Sequence, residues 1–192
     1  EAHDQTRGWF YSQLGAGVMS FDRAPYDEVM MHAWMLDTKG QKMSKSLGNV
    51  VEPKEVASEF GADAMRLYSV RANAPWDDTC FQWDVKKNPP MKEGPKNAWK
   101  ILNTYWNVVK FASMYMEIDD FDPERYTPEV MKDHFRYEDR WMFSRTEKMK
   151  AAVHDGIESR ELHKAARAIE DYIMEDLSKW YVKLIRDRSW TE

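Results

Sequence analysis

Hydrophobic and polar positions change their rhythm twice along the chain. From residue 1 to about 72, short apolar runs alternate with glycines and polar turns. Gly8-Trp9-Phe10-Tyr11-Ser12-Gln13-Leu14 reads as a helix. The mainly apolar run Glu28-Val29-Met30-Met31-His32-Ala33-Trp34-Met35-Leu36 predicts a buried strand, ended by the turn Asp37-Thr38-Lys39-Gly40. Residues 53–59 predict a short helix with Pro53 in its first turn, where the missing N–H has no intrahelical partner to lose. Gly61 stops that helix, and residues 63–70 begin another. Strands alternating with helices argue for an α/β unit. Residues 73 to about 92 are rich in breakers, in Asn73-Ala74-Pro75-Trp76-Asp77-Asp78 and Lys87-Asn88-Pro89-Pro90, and predict a connector with only short ordered pieces. From 93 onward the spacing is helical. Ile101, Leu102, Tyr105, Val108, Val109 and Ala112 mark a helix over 98–116, and 119–128 read as a polar loop. Leu162, Ala166, Ile169, Ile173, Leu177, Trp180 and Leu184 step by 4, 3, 4, 4, 3 and 4 residues, predicting one long helix with a continuous apolar stripe. Such a stripe needs partner helices, so residues 93–192 read as an all-α bundle.

Composition narrows the picture modestly. The 192 residues are 43% hydrophobic and 32% charged, a globular balance rather than a disordered one, and suit one large domain or two small ones. No apolar run approaches the roughly 18 residues a membrane span needs, and no basic-then-apolar leader opens the chain. The single cysteine, Cys80, excludes an internal disulfide and a multi-cysteine zinc site. A net charge of −5 means that a nucleic-acid partner must meet a local basic patch. The chain begins at Glu1 and runs straight into motif-like sequence, which reads as a segment of a longer protein. Nine Trp and thirteen Met argue for large buried surfaces, some facing absent parts.

The candidate chemistry lies in Lys42-Met43-Ser44-Lys45-Ser46. Two lysines three residues apart, with small hydroxyl residues between and Gly48 just after, suit a mobile loop that grips an anion. A lysine ammonium is a compact charge on a long stem, able to reach phosphate oxygens, and Ser44 and Ser46 can donate further hydrogen bonds. Taken alone, the run fits a solvated loop as well. Its context is more specific. Asp37-Thr38-Lys39-Gly40-Gln41-Lys42-Met43-Ser44-Lys45-Ser46-Leu47-Gly48-Asn49-Val50-Val51, continued by Pro53 and by Phe60-Gly61-Ala62-Asp63-Ala64-Met65-Arg66-Leu67-Tyr68, resembles the second signature of class I aminoacyl-tRNA synthetases. The resemblance implies that Lys42 and Lys45 contact ATP phosphates and stabilise the transition state of amino-acid activation. It also implies that Met43, Ser44 and Ser46 belong to the nucleotide site.

Glu1-Ala2-His3-Asp4-Gln5-Thr6-Arg7-Gly8-Trp9-Phe10 resembles a motif of the isoleucine members of that family. The implied roles place Glu1, Asp4 and Gln5 on the adenylate, His32 in the adenine pocket and the backbone of Met35 and Leu36 along the adenine edge. A satisfied buried histidine is the competing reading of His32. Ala2, Ala33 and Trp34 depart from the family pattern; Ala2 would be costly if its φ had to be positive. Phe10 reads as core, and Trp9 stays open. Asn103-Thr104-Tyr105, the stretch around Ser144-Arg145 and the run from Asp176 to Trp190 resemble the anticodon-binding helices of the same enzymes. There Lys179, Lys183, Arg186 and Arg188 either meet tRNA phosphates or form a solvated face paired with Asp176 and Asp187. The implied fold is the C-terminal half of a Rossmann-like class I catalytic domain (1–72), a connector (73–92) and a truncated anticodon-binding bundle (93–192). The implied substrates are ATP with its Mg²⁺, isoleucine and tRNA(Ile), in the cytoplasm, with no protein-bound metal in this segment. The first signature, His-x-Gly-His, is absent from these residues, as are the pocket-bearing half of the sheet and the editing domain. The segment alone is therefore expected to be inactive and to need the rest of the synthetase chain. Three alternatives stay open: a valyl-tRNA synthetase segment, a non-catalytic tRNA-binding module descended from a synthetase, and a generic phosphate-binding α/β domain.

Overall fold

A computed structural model describes residues 1–87 and 89–189. The Trp190 end of the anticodon-like run, Asn88 of the connector and the final residues to Glu192 lie outside the described residues.

The chain enters extended at Ala2 and makes a 3-10 turn, His3–Arg7, before α1, Trp9–Phe21. The short strands β1, Met35–Leu36, and β2, Thr79–Cys80, pair in parallel, Met35 opposite Thr79 and Leu36 opposite Cys80. Ala2 lies parallel to His32 on the same stretch of chain. Parallel neighbours need a crossover, and two helices supply it: α2, Pro53–Phe60, and α3, Ala62–Arg71. Pro53 opens α2 as its spacing predicts, and Gly61 joins the two helices at a φ of +87°, a conformation open chiefly to glycine.

The long buried strand predicted over 28–36 shrinks to two residues and one bridge. Met30 and Met35 are exposed. A strand exists only where another segment completes its ladder, and among the described residues of this run ladder pairing is complete only at His32 and Met35–Leu36, with single backbone bonds from the Ala33 N–H to Pro75 and from the Thr79 N–H to Trp34 between them. The ordered pieces of the 73–92 stretch carry more than their composition suggests. They supply β2 and, directly after it, Phe81 and Trp83, which join Val56, Ala64, Tyr68 and Ala98 in one core.

The helical half comprises α4, Glu93–Ile118; α5, Pro128–Met131, with a 3-10 turn at Lys132–His134; α6, Tyr137–Glu158; and a run from Leu162 to Ser189. That run is continuous, as the stripe predicts, but not uniformly α. It consists of α7, Leu162–Asp171; ten π-wound residues, Tyr172–Tyr181; and α8, Val182–Ser189. A π turn closes i→i+5 bonds and takes up an extra residue, so 4-3 spacing no longer holds one face. Ala166 and Ile173 are buried, whereas Trp180 and Leu184 are more than half and half exposed, at 59% and 50%. The latter two line a hollow of about 550 Å³ with Tyr137 and Trp141.

The halves are locked together. Gly94 of α4 sits on the Tyr68 ring so closely that an added Cβ would lie 2.3 Å from its Cζ. Arg71 donates two hydrogen bonds to the Glu170 carboxylate, at 2.7 and 2.8 Å. The Arg167 guanidinium donates to the carbonyls of Arg71 and Ala72, which end α3.

Candidate functional site

The lysine loop leaves β1 through a turn whose chemistry is local. The Asp37 carboxylate accepts from the N–H groups of Lys39 (2.9 Å) and Gln41 (2.8 Å), and Gly40 takes a φ of +76°. This is the aspartate turn that short polar side chains favour. Asn49, twelve residues on, closes the loop. Its amide donates to Asp37 (2.9 Å) and to the Lys42 carbonyl (3.3 Å), while its oxygen accepts from the Ser44 N–H at 2.9 Å. The Asn49 bond first, then those from Gln41 and Lys39, hold the Asp37 carboxyl below the usual carboxylate range. Ser44 and Ser46 pair their hydroxyls at 3.1 Å, and Ser44 also accepts from the Leu47 N–H.

Within this brace the predicted residues divide. Met43 packs against the core and anchors the loop. Lys42 is exposed and places its ammonium 3.9 Å from the centre of the Trp34 ring. Lys45 is exposed and makes no ion pair among the described residues. The far end of the loop is pinned by Lys86, whose ammonium donates to the Gly48 carbonyl at 2.9 Å. Beside that end lies a cleft of about 840 Å³ between Leu47–Glu52 and Trp83–Lys87, with Asp37, Lys39 and Glu55 on its walls.

The residues at the start of the chain are brought beside the loop only in part. Glu1 accepts from the His32 N–H and His3 donates to the His32 carbonyl, so the opening segment aligns with the strand. Glu1 and Asp4 expose their carboxylates. Gln5 is occupied locally, its side-chain oxygen accepting from the Trp9 N–H at 3.0 Å as a cap for α1. Ala2 sits at a φ of −74°, extended backbone in which its methyl costs nothing. Phe10 is half-buried edge-on to Tyr26, and Trp9 is 54% exposed. His32 is not the buried histidine of the competing reading. It is exposed, its Nδ1 2.9 Å from the Ala33 carbonyl, on the wall of a hollow shared with His3, Glu28, Trp76 and Arg160. The backbone of Leu36 is already engaged, because its carbonyl accepts from the Phe81 N–H at 2.8 Å. Sheet pairing thus engages one of the Met35–Leu36 backbone groups predicted to lie along the adenine edge. Met35 remains at the edge of a third hollow with Trp34, Ala74 and Leu162.

On the last helix the four basic residues have different fates. Lys179 pairs with Glu175 at 2.8 Å, one turn away, and not with Asp176. The π winding turns Asp176 inward, where Arg145 takes it at 2.7 Å. Arg188 pairs with Glu138 and Asp139 of α6, at 2.9 and 3.0 Å, and not with its neighbour Asp187. Lys183 and Arg186 are exposed and make no ion pair among the described residues. Burial alone would raise the Asp139 carboxyl, but the bonds from Arg188, the Arg136 N–H and the Tyr181 hydroxyl together hold it low. Burial, with the adjacent Asp139 charge, pushes Tyr181 up to about 12.

Asp37, Asn49, Trp34 and Lys86 are the residues that sequence reasoning missed. An Asp two residues before a Lys-Gly turn was a legible signal; the other three depend on approaches across 5 to 38 residues.

Comparison with known proteins places this geometry. Residues 1–80 match the family described as tRNA synthetases class I (I, L, M and V), and residues 139–192 match the anticodon-binding domain of tRNA ligase. The chain is similar over all 192 residues to the isoleucine--tRNA ligases of Methanopyrus kandleri (47% identical) and Methanothermobacter marburgensis (49%), and spans 17% of the length of each. Among solved structures it superposes on the Agrobacterium radiobacter K84 LeuRS, crystallised as a ternary complex with tRNA and LeuAMS. There the TM-score is 0.65 at 19% identity, covering 93% of this chain and 21% of that one, a likeness of fold.

Proposed function

The chain belongs to the class I tRNA synthetases, and from that premise we propose that it is the part of an isoleucine--tRNA ligase carrying the second signature loop and the anticodon-side helices. The observation that carries this reading is the unbroken 192-residue match at 47–49% identity, with the lysine loop inside it. In this reading residues 1–72 close the C-terminal side of a Rossmann-like catalytic domain, 73–92 connect, and 93–192 open the anticodon-binding bundle. The parallel alignment of Ala2, β1 and β2 supports the first assignment.

The proposed chemistry follows from charge. An isoleucine carboxylate oxygen attacks the α-phosphorus of ATP, the bond to the bridging oxygen breaks, and pyrophosphate leaves with that electron pair. Negative charge grows on the α-phosphate and the leaving group. Positioned cations contribute most where charge develops, and Lys42 and Lys45 are the two cations of a loop braced by Asp37 and Asn49. Mg²⁺ comes with the nucleotide. In the second step a terminal tRNA hydroxyl attacks the adenylate carbonyl and AMP leaves, positioning again outweighing any protein nucleophile. In the cytoplasmic enzyme Lys183 and Arg186, the two of the four predicted basic side chains without acidic partners among the described residues, would meet tRNA phosphates.

Isoleucine-dependent ATP–pyrophosphate exchange by the intact protein tests the reading. Exchange that prefers isoleucine to valine is expected. Preference for valine would move the protein to the valine enzymes, and no exchange with either would end the catalytic reading. The 192-residue segment alone is expected to show none.

A further inference from the structure

Trp34 is held on several sides. Its backbone N–H donates to the Asp78 carboxylate at 2.8 Å and its carbonyl accepts from the Thr79 N–H at 2.9 Å. The His3 ring stands edge-on to the indole, centroids 5.0 Å apart at 76°. Lys42 reaches the same ring for a register reason. Leu36 pairs antiparallel with Lys42 across the loop's neck, and side chains two apart on a strand share a face, so Trp34 is the diagonal neighbour of Lys42. The ammonium lies 3.9 Å from the ring centre, inside the range of a cation–π contact.

We propose that Trp34 is a positioning residue for the activation step: its indole face holds the Lys42 ammonium in a resting position, and ATP draws it off. The proposal rests on the reading of Lys42 as a phosphate-binding lysine. With the phosphates held away from the indole, the ammonium leaves the ring to reach them, so the contact stabilises the ATP-free loop against the ATP-bound one. Trp34 thereby links the opening segment, through His3, to the lysine loop, and sets how readily that loop engages nucleotide.

Two measurements on the intact protein test this. In the first, lysines are reductively ¹³C-methylated, which preserves their charge, and the Lys42 signal is assigned by its loss in Lys42→Arg. Without ATP the Lys42 methyls should resonate upfield, under the indole ring current, and should return to an ordinary lysine position on saturation with ATP. An unshifted signal without ATP, or one that ATP leaves upfield, overturns the proposal, and this arm needs no Trp34 variant to fold. In the second, pyrophosphate exchange is compared in Trp34→Phe and Trp34→Leu. An exposed cation–π contact is worth a factor of about two to five. Trp34→Leu should therefore lower the KM for ATP about two- to five-fold with kcat within two-fold, and Trp34→Phe should fall between. A KM that rises or stays put in both variants overturns the proposal, because a merely structural tryptophan would weaken ATP binding when removed. Absence of isoleucine-dependent exchange in the unaltered protein would instead sink the synthetase reading, leaving the Lys42 signal to judge the resting contact.

Discussion

Replacing Gly94 by alanine should loosen the junction between the two halves of the chain. The new methyl would lie 2.3 Å from Tyr68 Cζ and 2.5 and 2.8 Å from the two Cε atoms, about 0.7–1.7 Å inside ordinary carbon contact at about 3.5–4.0 Å. The ring has little room to retreat. It is 5% exposed, stands edge-on to Phe81 at 5.0 Å, and its hydroxyl donates to the Cys80 carbonyl (3.3 Å) while accepting from the Gln82 N–H (3.1 Å). Overpacking alone costs about 1–3 kcal/mol, and displacing the ring would strip a buried hydrogen bond worth about 1 kcal/mol or more. A loss of about 3 kcal/mol is expected, which at a slope of about 2–3 kcal/mol per molar urea lowers the unfolding midpoint by about 1–1.5 M. Urea unfolding followed by far-ultraviolet dichroism reads this directly. Gly15→Ala is the internal control: the same methyl in the middle of α1 meets nothing within 4 Å, so the better helix former should be neutral or stabilising by up to about 1 kcal/mol. Tyr68→Phe should not rescue Gly94→Ala, since the ring and not the hydroxyl meets the methyl. Equal midpoints for Gly94→Ala and Gly15→Ala would refute the reasoning.

Other consequences follow from the same structure. Lys42→Ala or Lys45→Ala in the intact protein should slow adenylation about a hundredfold, with isoleucine affinity within two-fold, because in the proposed mechanism the cations act where charge develops; pre-steady-state adenylation and isoleucine binding separate the two effects. Asp139 has its folded-state carboxyl held low, so the stability it contributes is present above the ordinary aspartate value of about 3.9 and is lost as pH falls through the lower folded value. Asp139→Asn should therefore be less stable than the parent at pH 7, and the gap should close in acid, as thermal midpoints measured across pH would show. Lys183→Ala and Arg186→Ala should each weaken tRNA binding and reduce its salt dependence by about one counterion, whereas Arg188→Ala should mainly lower stability, since Arg188 is committed to Glu138 and Asp139; filter binding at several salt concentrations distinguishes them. Ala2→Gly should leave ATP affinity unchanged and lower stability by no more than about 1 kcal/mol, because Ala2 already has extended backbone and glycine only adds freedom to the unfolded chain.

Much of this protein was legible in one dimension because some physics is local. Turn chemistry marked Asp37-Thr38-Lys39-Gly40, Pro53 marked the start of α2, and Gly61 its end at a φ of +87°. A run as specific as Lys42-Met43-Ser44-Lys45-Ser46, with its flanks, carried the family, and the matches over residues 1–80 and 139–192 agree. Periodicity found α4 and the long closing run of helix. What needed the folded chain was every feature made by approach across sequence. The 28–36 run is mostly not strand, because a ladder depends on neighbours that hydrophobicity does not reveal. A breaker-rich stretch supplies β2, Phe81 and Trp83, because burial is decided by what packs beneath. The closing helix winds as π over Tyr172–Tyr181, in the segment where Asp176 meets Arg145 and Tyr181 meets Asp139, and this splits a stripe that an ideal α period keeps whole. In the lysine loop the residue types suited to gripping a phosphate were visible in the sequence. The brace from Asp37 to Asn49, and the ring on which Lys42 rests, were set by tertiary structure, because hydrogen bonds and cation–π contacts depend on distance in space and not on separation along the chain.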